Sequence, residues 1–253
     1  MEELSLAGGK AHVAADRAEL ARAAAEAVAS AARTAVAARG RFALALSGGS
    51  TPRDLYRLLA ADPLTAAMPW PAVHLYWGDE RCVPPDHVES NFRMVREALL
   101  DKVPIPAGNV HRIPAEDPDS ERAAERYEAE LRASFGLGPL ELPRFDLVLL
   151  GLGLDGHTAS LFPGTGAVAV SDRLCFALRV EKLATHRITL SLPVLNAARG
   201  VAFLAAGADK AEPLRALAAG ARSADELPAG AVHPRDGELA FWLDREAASL
   251  LPR

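Results

Sequence analysis

An aspartate and a histidine stand two residues apart in a glycine-rich turn at residues 151–157, directly after the apolar run at residues 145–150. Asp155 beside His157 is a pairing suited to general acid–base chemistry, because a carboxylate can orient an imidazole ring and stabilise its protonated form. The glycines let a substrate approach the backbone amides closely. A Gly-x-Gly turn after a strand is also an ordinary connection, and a lone histidine is more often structural. The turn therefore indicates a candidate catalytic site and needs support from the rest of the chain.

A second glycine-rich turn follows the apolar run at residues 41–46 and carries hydroxyl groups. Its members are Ser47, Gly48, Gly49, Ser50 and Thr51. Pro52 comes next, where the first residue of a helix would stand. Because unpaired N–H groups at a helix start attract anions, we predict that this turn binds a phosphate or a sugar. The alternative is a helix cap with Thr51 as the N-cap residue. The Gly-Lys-Ser/Thr ending of a nucleotide P-loop is missing.

A third group of polar residues follows the predicted strand at residues 73–77. Asp79, Glu80 and Arg81 come directly after Gly78, and Asn91 lies further along the same loop. Charge concentrated at the end of a strand is typical of a functional loop, so we place Asp79, Arg81 and Asn91 in the candidate site. The alternative is a surface cluster of ion pairs, which would contribute little to stability.

Two basic residues lie near the ends of later strands. Arg187 begins a predicted strand, and Lys210 follows another at the start of a helix. A guanidinium and an ammonium group both suit a phosphate ligand, so the two are candidate phosphate-binding residues. Taken singly, each is more often an ordinary surface cation.

The elements that must position these residues alternate between strand and helix. Strands are predicted at residues 41–46, 73–77, 145–150, 174–180, 188–192, 201–205 and 239–243. Helices are predicted at residues 13–38, 52–61, 92–100, 119–135 and 210–219. This order indicates an α/β fold with three layers, α/β/α, around a mostly parallel, Rossmann-like sheet. Ligands of such sheets bind beyond the carboxyl ends of the strands, where the three loops should meet.

Composition limits the function classes. Half of the 253 residues are hydrophobic, 24% are charged, and the net charge is -5 without a basic block, so neither nucleic acid nor a membrane is an expected partner. Two cysteines and seven scattered histidines show no metal-ligand spacing, so no metal or cofactor is predicted. No linker divides the chain, and residues 1–253 are expected to form one domain. The absence of a signal-peptide core or a membrane-length apolar stretch predicts a cytoplasmic protein. The sequence does not decide between a monomer and a homodimer.

Five blocks of this sequence, in this order, resemble the 6-phosphogluconolactonase family, within a wider group that includes glucosamine-6-phosphate deaminase. They are residues 46–52, 78–81 with 90–91, 151–164, 187–190 and 207–210. The deaminase pattern has a tyrosine after Asp-Glu and a glutamate before the proline that follows Asp-Gly-His. This chain has Arg81 and Phe162 at those places, which favours the lactonase branch.

The resemblance implies hydrolysis of 6-phospho-D-glucono-1,5-lactone to 6-phospho-D-gluconate, in the oxidative pentose phosphate pathway. His157 would be the general base, and Asp155 would orient it or contact substrate hydroxyls. Arg81, helped by amides of the glycine turns, would stabilise negative charge on the carbonyl oxygen. Residues 48–51 would hold the 6-phosphate. Arg187 and Lys210 would supply cations to that phosphate. The alternatives are a deaminase or isomerase acting on a sugar phosphate, and a sensor that binds one without turnover.

Overall fold

The structure is a computed structural model that describes residues 1–220 and 223–252. Its strands are β1 (Glu2–Leu6), β2 (Gly9–Ala14), β3 (Phe42–Leu46), β4 (Val73–Trp77), β5 (Asp79–Arg81), β6 (Val110–His111), β7 (Leu147–Gly151), β8 (Cys175–Val180), β9 (Thr185–Leu190), β10 (Gly200–Ala205) and β11 (Glu238–Asp244). Its α-helices are α1 (Arg17–Arg39), α2 (Ser50–Leu59), α3 (Leu64–Ala67), α4 (Asn91–Ala98), α5 (Ser120–Phe135), α6 (Leu192–Asn196) and α7 (Ala211–Ala219).

The central sheet has eight strands in the order β1-β2-β11-β10-β7-β3-β4-β6. Its neighbouring strands are parallel except for the antiparallel β1–β2 pair at one edge. Helices cover both faces, which confirms the predicted three-layer α/β/α arrangement. A strand covered on both faces must be apolar throughout, and all five residues of β3 are buried. The apolar runs were therefore reliable predictors of the sheet interior.

A second sheet holds the strands predicted at residues 174–180 and 188–192. Its order is β5-β9-β8, and both pairings are antiparallel, so these two segments lie outside the mostly parallel sheet. Gly78 links the two sheets, because its N–H donates to Leu46 and its carbonyl accepts from Leu190, each at 2.9 Å. The chain thus passes from β4 straight into β5. The small sheet lies against the carboxyl edge of the large one at this link.

The N-terminal segment differs from the prediction of a helix from residue 13. Residues 9–14 form β2, which pairs with β1 as a hairpin, and α1 begins only at Arg17. Asp16 caps α1 by accepting a hydrogen bond from the Glu19 amide at 2.9 Å. The helix ends at Arg39, one residue past the predicted end, and Gly40 caps it in the left-handed conformation with φ 74°.

Buried apolar side chains from both sheets and from the helices on either side form one continuous cluster. This continuity favours the single domain predicted for residues 1–253. Among the described residues, no helix combines the length and the apolar character that a membrane crossing requires.

Candidate active site

A cleft with two adjoining cavities lies where the predicted loops meet. We call the first, of about 350 Å³, the arginine cavity; it is lined by Asp79, Arg81, Leu154, Asp155, His157, Ala159, Ser160, Phe162, Leu183 and Arg187. We call the second, of about 300 Å³, the glycine cavity; it is lined by Ser47, Gly48, Gly49, Ser50, Thr51, Pro52, Asn91, Gly151, Leu152, Gly153, Leu204 and Lys210, among others. Asp79, Arg81, His157 and Ala159 line both. Every residue predicted for the site therefore lines the cleft.

Asp155 and His157 form the expected pair at the junction of the two cavities. Nδ1 of the imidazole lies 2.6 Å from Oδ1 of Asp155, and the His157 amide donates to the same oxygen at 3.1 Å. An ionised carboxylate has no proton to give, so Nδ1 carries the hydrogen and Nε2 keeps its lone pair. Both side chains are about one-third exposed, at 32% and 31%, so Nε2 can accept a proton from a water molecule in the cleft.

Gly153 and Phe162 lie on either side of the histidine ring. A Cβ atom on Gly153 would lie 2.0 Å from Nδ1 of His157, so only glycine leaves room for the ring. The Phe162 ring stacks on the imidazole with 4.2 Å between centroids and 30° between planes. The residue that separated the two family branches by sequence is therefore in direct contact with the candidate base.

The glycine-rich turn at residues 47–51 offers hydrogen-bond donors to the glycine cavity. Gly49, at φ 102°, is the N-cap of α2, which corrects the alternative that placed Thr51 there. The amides of Gly48 and Gly49 make no hydrogen bond within the described part of the chain, and the buried Ser47 hydroxyl has no partner either. Free donors beside a helix N-terminus are suited to a phosphate group.

Asp79 and Asn91 form a buried polar junction between the loops. Asn91 donates from Nδ2 to the Asp79 backbone oxygen at 3.0 Å, and Ser160 donates from Oγ to Asp79 Oδ2 at 2.7 Å. A Cβ atom on Gly48 would lie 2.0 Å from Oδ1 of Asn91, so the glycine turn packs directly on this junction. Asp79 and Asn91 line the cleft, as the sequence predicts. Ser160 also lines it and was not predicted, although its position three residues after His157 was a usable signal.

Glu80 points away from the cleft and into the N-terminus of α4. Its carboxylate accepts hydrogen bonds from the amides of Asn91 at 2.8 Å and Phe92 at 2.7 Å, and from the Ser90 hydroxyl at 3.1 Å. Burial raises the pKa of Glu80, while these backbone amides oppose the rise. Glu80 therefore anchors the loop that carries Asp79 and Arg81.

Arg81 and Arg187 are direct neighbours across the β5–β9 pair. Arg81 is fixed by a 2.5 Å hydrogen bond from Nη1 to the Glu89 backbone oxygen. Arg187 is 9% exposed and lines the arginine cavity, whereas Lys210 lines the glycine cavity. The sequence grouped Arg187 with Lys210 around one phosphate, and the structure brings only Lys210 to the glycine-rich turn. Lys210 is paired with the neighbouring Asp209 at 3.1 Å.

Two amides of the 151–157 turn, those of Gly153 and Gly156, are already hydrogen-bonded within the turn. The Gly153 amide donates to the His157 backbone oxygen at 2.8 Å, and the Gly156 amide donates to Gly153 at 3.0 Å. Both hydrogen bonds shape the turn itself. Arg81 and the free amides of Gly48 and Gly49 are donors that line the cleft.

Two buried tyrosines hold the ends of the strands beneath the cleft. The Tyr56 hydroxyl accepts from the Ser47 amide at 3.0 Å and donates to the Ser47 carbonyl at 2.9 Å. Tyr127 makes the same pair of bonds with the backbone of Trp77, both at 2.9 Å. Tyr56 lies in α2 and Tyr127 in α5. The sequence did not identify them as part of the site, because nothing in its hydrophobic pattern distinguishes them from other aromatic residues of the core.

Within residues 1–220 and 223–252, no three His, Cys, Asp or Glu side chains are grouped closely enough to hold a metal ion.

The comparisons with known proteins agree on one family. The family model for glucosamine-6-phosphate isomerases and 6-phosphogluconolactonase matches residues 15–242. The chain is 46% identical over 213 residues to a 6-phosphogluconolactonase of Synechocystis sp., covering 84% of this chain and 86% of the relative. It is 44% identical over 223 residues to the 6-phosphogluconolactonase of Rattus norvegicus, covering 84% and 82%.

Solved structures show the same fold. The 6-phosphogluconolactonase of Trypanosoma brucei superposes with a TM-score of 0.85 at 30% identity, covering 96% of this chain and 98% of that one. A monomeric glucosamine-6-phosphate deaminase superposes with a TM-score of 0.79 at 22% identity, covering 95% and 99%. At that identity the second likeness shows the shared fold alone.

Proposed function

The chain belongs to the family of glucosamine-6-phosphate isomerases and 6-phosphogluconolactonases, and we propose that it hydrolyses 6-phospho-D-glucono-1,5-lactone to 6-phospho-D-gluconate. The observation that carries this proposal is the Asp155–His157 pair, 2.6 Å apart, where the glycine cavity meets the arginine cavity. Binding alone requires no oriented base. The relatives with 46% and 44% identity both carry the lactonase name.

The substrate phosphate is held by the turn at residues 47–51 in this proposal. The free amides of Gly48 and Gly49, the Ser47 hydroxyl and the N-terminus of α2 donate to its oxygens, and Lys210 adds a positive charge. With the phosphate there, the lactone ring extends past His157 towards the arginine cavity. Asp79 and Asn91 then face the sugar hydroxyls.

His157 acts as the general base on a water molecule. Nε2 takes a proton from the water as its oxygen attacks C1 of the lactone, and Asp155 holds the ring and stabilises the imidazolium. Negative charge develops on the former carbonyl oxygen, and Arg81, which lines both cavities, stabilises it. The C1–O5 bond then breaks, and the imidazolium returns the proton to O5.

The residue at position 162 favours lactone hydrolysis over a deaminase reaction. The deaminase pattern has a glutamate at this position, whereas here an apolar ring stacks on His157 at 4.2 Å. No carboxylate other than Asp155 therefore contacts the imidazole among the described residues. The geometry favours water activation over the ring opening that a second carboxylate would assist.

The test is hydrolysis of freshly prepared lactone, coupled to 6-phosphogluconate dehydrogenase, with the spontaneous opening subtracted. Because a positioned general base contributes about 10²–10⁴ in rate, His157→Ala should lose a factor in that range. His233→Ala is the matched control, since His233 is exposed and lies outside both cavities. A folded His157→Ala protein with the wild-type rate contradicts the role of the base.

Two further outcomes would replace the proposal. Ammonia release from glucosamine 6-phosphate would identify a deaminase. Tight binding of 6-phosphogluconate without turnover would identify a sensor. A place in the oxidative pentose phosphate pathway and a cytoplasmic location belong to this proposal, and cell fractionation with the same assay tests the location.

A further inference from the structure

Arg187 is a buried cation that the cleft leaves without a partner. It is only 9% exposed, it lines the arginine cavity, and no hydrogen bond or ion pair within 4.0 Å joins its guanidinium to another described residue. A buried charge is costly unless it is paired, so such a side chain indicates a missing anion.

The neighbouring charges strengthen this argument. Arg81 stands directly opposite Arg187 on the paired strand β5, and like charges facing each other across strands are unfavourable. Burial, followed by the charge of Arg81, lowers the pKa of Arg187. The charges of Asp79, Glu89 and Glu80 oppose this shift without cancelling it. An anion between the two guanidinium groups would relieve both effects at once.

The carboxylates of the arginine cavity are already engaged. Asp79 accepts hydrogen bonds from Ser160 at 2.7 Å and from Asn91 at 3.4 Å, and Asp155 is held by His157 at 2.6 Å. The anion must therefore come from the ligand.

The chemistry of the reaction supplies such an anion at one end of the molecule. The phosphate is placed in the glycine cavity with Lys210, and His157 lies between the two cavities. Water addition followed by cleavage of the C1–O5 bond turns the neutral lactone carbonyl into a carboxylic acid, on the side of His157 away from the phosphate. This acid releases its remaining proton to solvent and becomes a carboxylate. Resting on the proposed function, we propose that Arg187, beside Arg81, binds the C1 carboxylate of the product and the negative charge that precedes it.

This assignment gives the two basic residues different tasks. Lys210 recognises the phosphate, which substrate and product share, whereas Arg187 recognises a charge that only the transition state and the product carry. The protein should therefore bind 6-phosphogluconate more tightly than a sugar phosphate of the same length that lacks the carboxylate, and product inhibition should depend on Arg187.

Calorimetric titration with two ligands tests the proposal. The ligands are 6-phosphogluconate and glucitol 6-phosphate, which carries a hydroxymethyl group in place of the carboxylate. Loss of a hydrogen bond to a charged group corresponds to about 10-fold or more in affinity, so Arg187→Met should weaken 6-phosphogluconate binding by about that factor. Binding of glucitol 6-phosphate should stay within about twofold of wild type, because its phosphate contacts are intact.

Two variants serve as comparisons. Arg179→Met removes an arginine from β8 of the same small sheet; Arg179 is 58% exposed and paired with Glu181, so neither affinity should change. Lys210→Ala should weaken both ligands alike. Equal weakening of both ligands by Arg187→Met would assign Arg187 to the phosphate and overturn the proposal, and so would no weakening of either.

Lactone turnover by the same wild-type preparation keeps the two proposals apart. A wild-type protein that turns over lactone while Arg187→Met shows no ligand preference refutes only the carboxylate site. A wild-type protein that neither turns over lactone nor binds either ligand refutes the proposed function. If the methionine variant does not fold, Arg187→Lys replaces it. A lysine cannot bind both carboxylate oxygens at once, so the affinity for 6-phosphogluconate alone should again fall. Unchanged affinities for both ligands would overturn the proposal.

Discussion

A methyl group added at Gly153 should displace the candidate base without touching any residue that binds substrate. The Cβ atom would lie 2.0 Å from Nδ1 and 2.2 Å from Cε1 of His157, and contacts under 3.0 Å are essentially absent from real proteins. The ring must therefore move by at least the difference, about 1 Å. Gly153 does not have a positive φ, so alanine fits the backbone itself and the clash is the only defect.

That movement disrupts both contacts that orient the imidazole. It lengthens or bends the 2.6 Å hydrogen bond to Asp155 and shifts the ring against Phe162, which lies 4.2 Å away. A misplacement of about 1 Å can lower a rate about 100-fold, so we expect Gly153→Ala to reduce kcat by about that factor. The KM should change by less than about threefold, because the phosphate is held by other residues.

Steady-state hydrolysis of fresh lactone, with thermal melting to verify folding, measures the effect. Gly108→Ala is the matched control, because Gly108 lies outside both cavities, has no positive φ, and its Cβ would have no atom within 4 Å. A Gly153→Ala protein that keeps half of the wild-type kcat, or a Gly108→Ala protein that loses as much as Gly153→Ala, would refute the argument that ring position limits catalysis.

Two further predictions concern binding and stability. Lys210→Ala should raise the KM about 10-fold or more with little change in kcat, because the lost phosphate contact is equally strong in the substrate and the transition state. Steady-state kinetics measure both constants, and a fall in kcat at unchanged KM would contradict this role. Burial, followed by the charges of Arg41 and His111, lowers the pKa of His74 below its ordinary 6.5, so the folded state resists protonation there. The unfolding free energy should therefore fall as the pH drops below about 6.5. Urea titrations between pH 7 and 5 should show a smaller fall for His74→Gln than for the wild type. The same dependence of the unfolding free energy on pH in both proteins would assign the acid sensitivity to other groups.

The sequence predicted the interior of the sheet well because burial on both faces leaves a strong signal. Residues 41–46, 73–77 and 201–205 are short apolar runs, and each lies in a central strand. β5 gave no such signal. Its three residues are charged, and it forms a strand because its backbone pairs with β9. Its side chains point towards the cleft or, for Glu80, towards α4.

The N-terminal hairpin was missed for a different reason. The alanine-rich pattern that predicts α1 continues backwards into β2, because alanine suits a helix and is also small enough for a buried strand. Only Asp16, as the N-cap, marks the true boundary.

The candidate residues of the site were predictable, but their grouping was not. Arg187 and Lys210 were assigned to one phosphate because both are basic and lie near strand ends. The structure places Arg187 on β9 of the small antiparallel sheet, whereas Lys210 follows β10 of the large sheet. The position of each cation relative to His157 depends on how the two sheets are packed against each other. No local pattern in the sequence reports it.

The tyrosines beneath the cleft bear on how quickly and how tightly a ligand can bind. Tyr56 and Tyr127 each close a ring of two hydrogen bonds with one backbone residue at a strand end, where a sheet usually frays. Burial raises the pKa of Tyr56, so its hydroxyl stays protonated and keeps both bonds across the physiological range. The turns that follow Ser47 and Trp77 therefore start from immobile points, and a ligand finds its donors already in place. Little chain entropy is lost on association, and the amide hydrogens of Ser47 and Trp77 should exchange with solvent slowly even in the free protein.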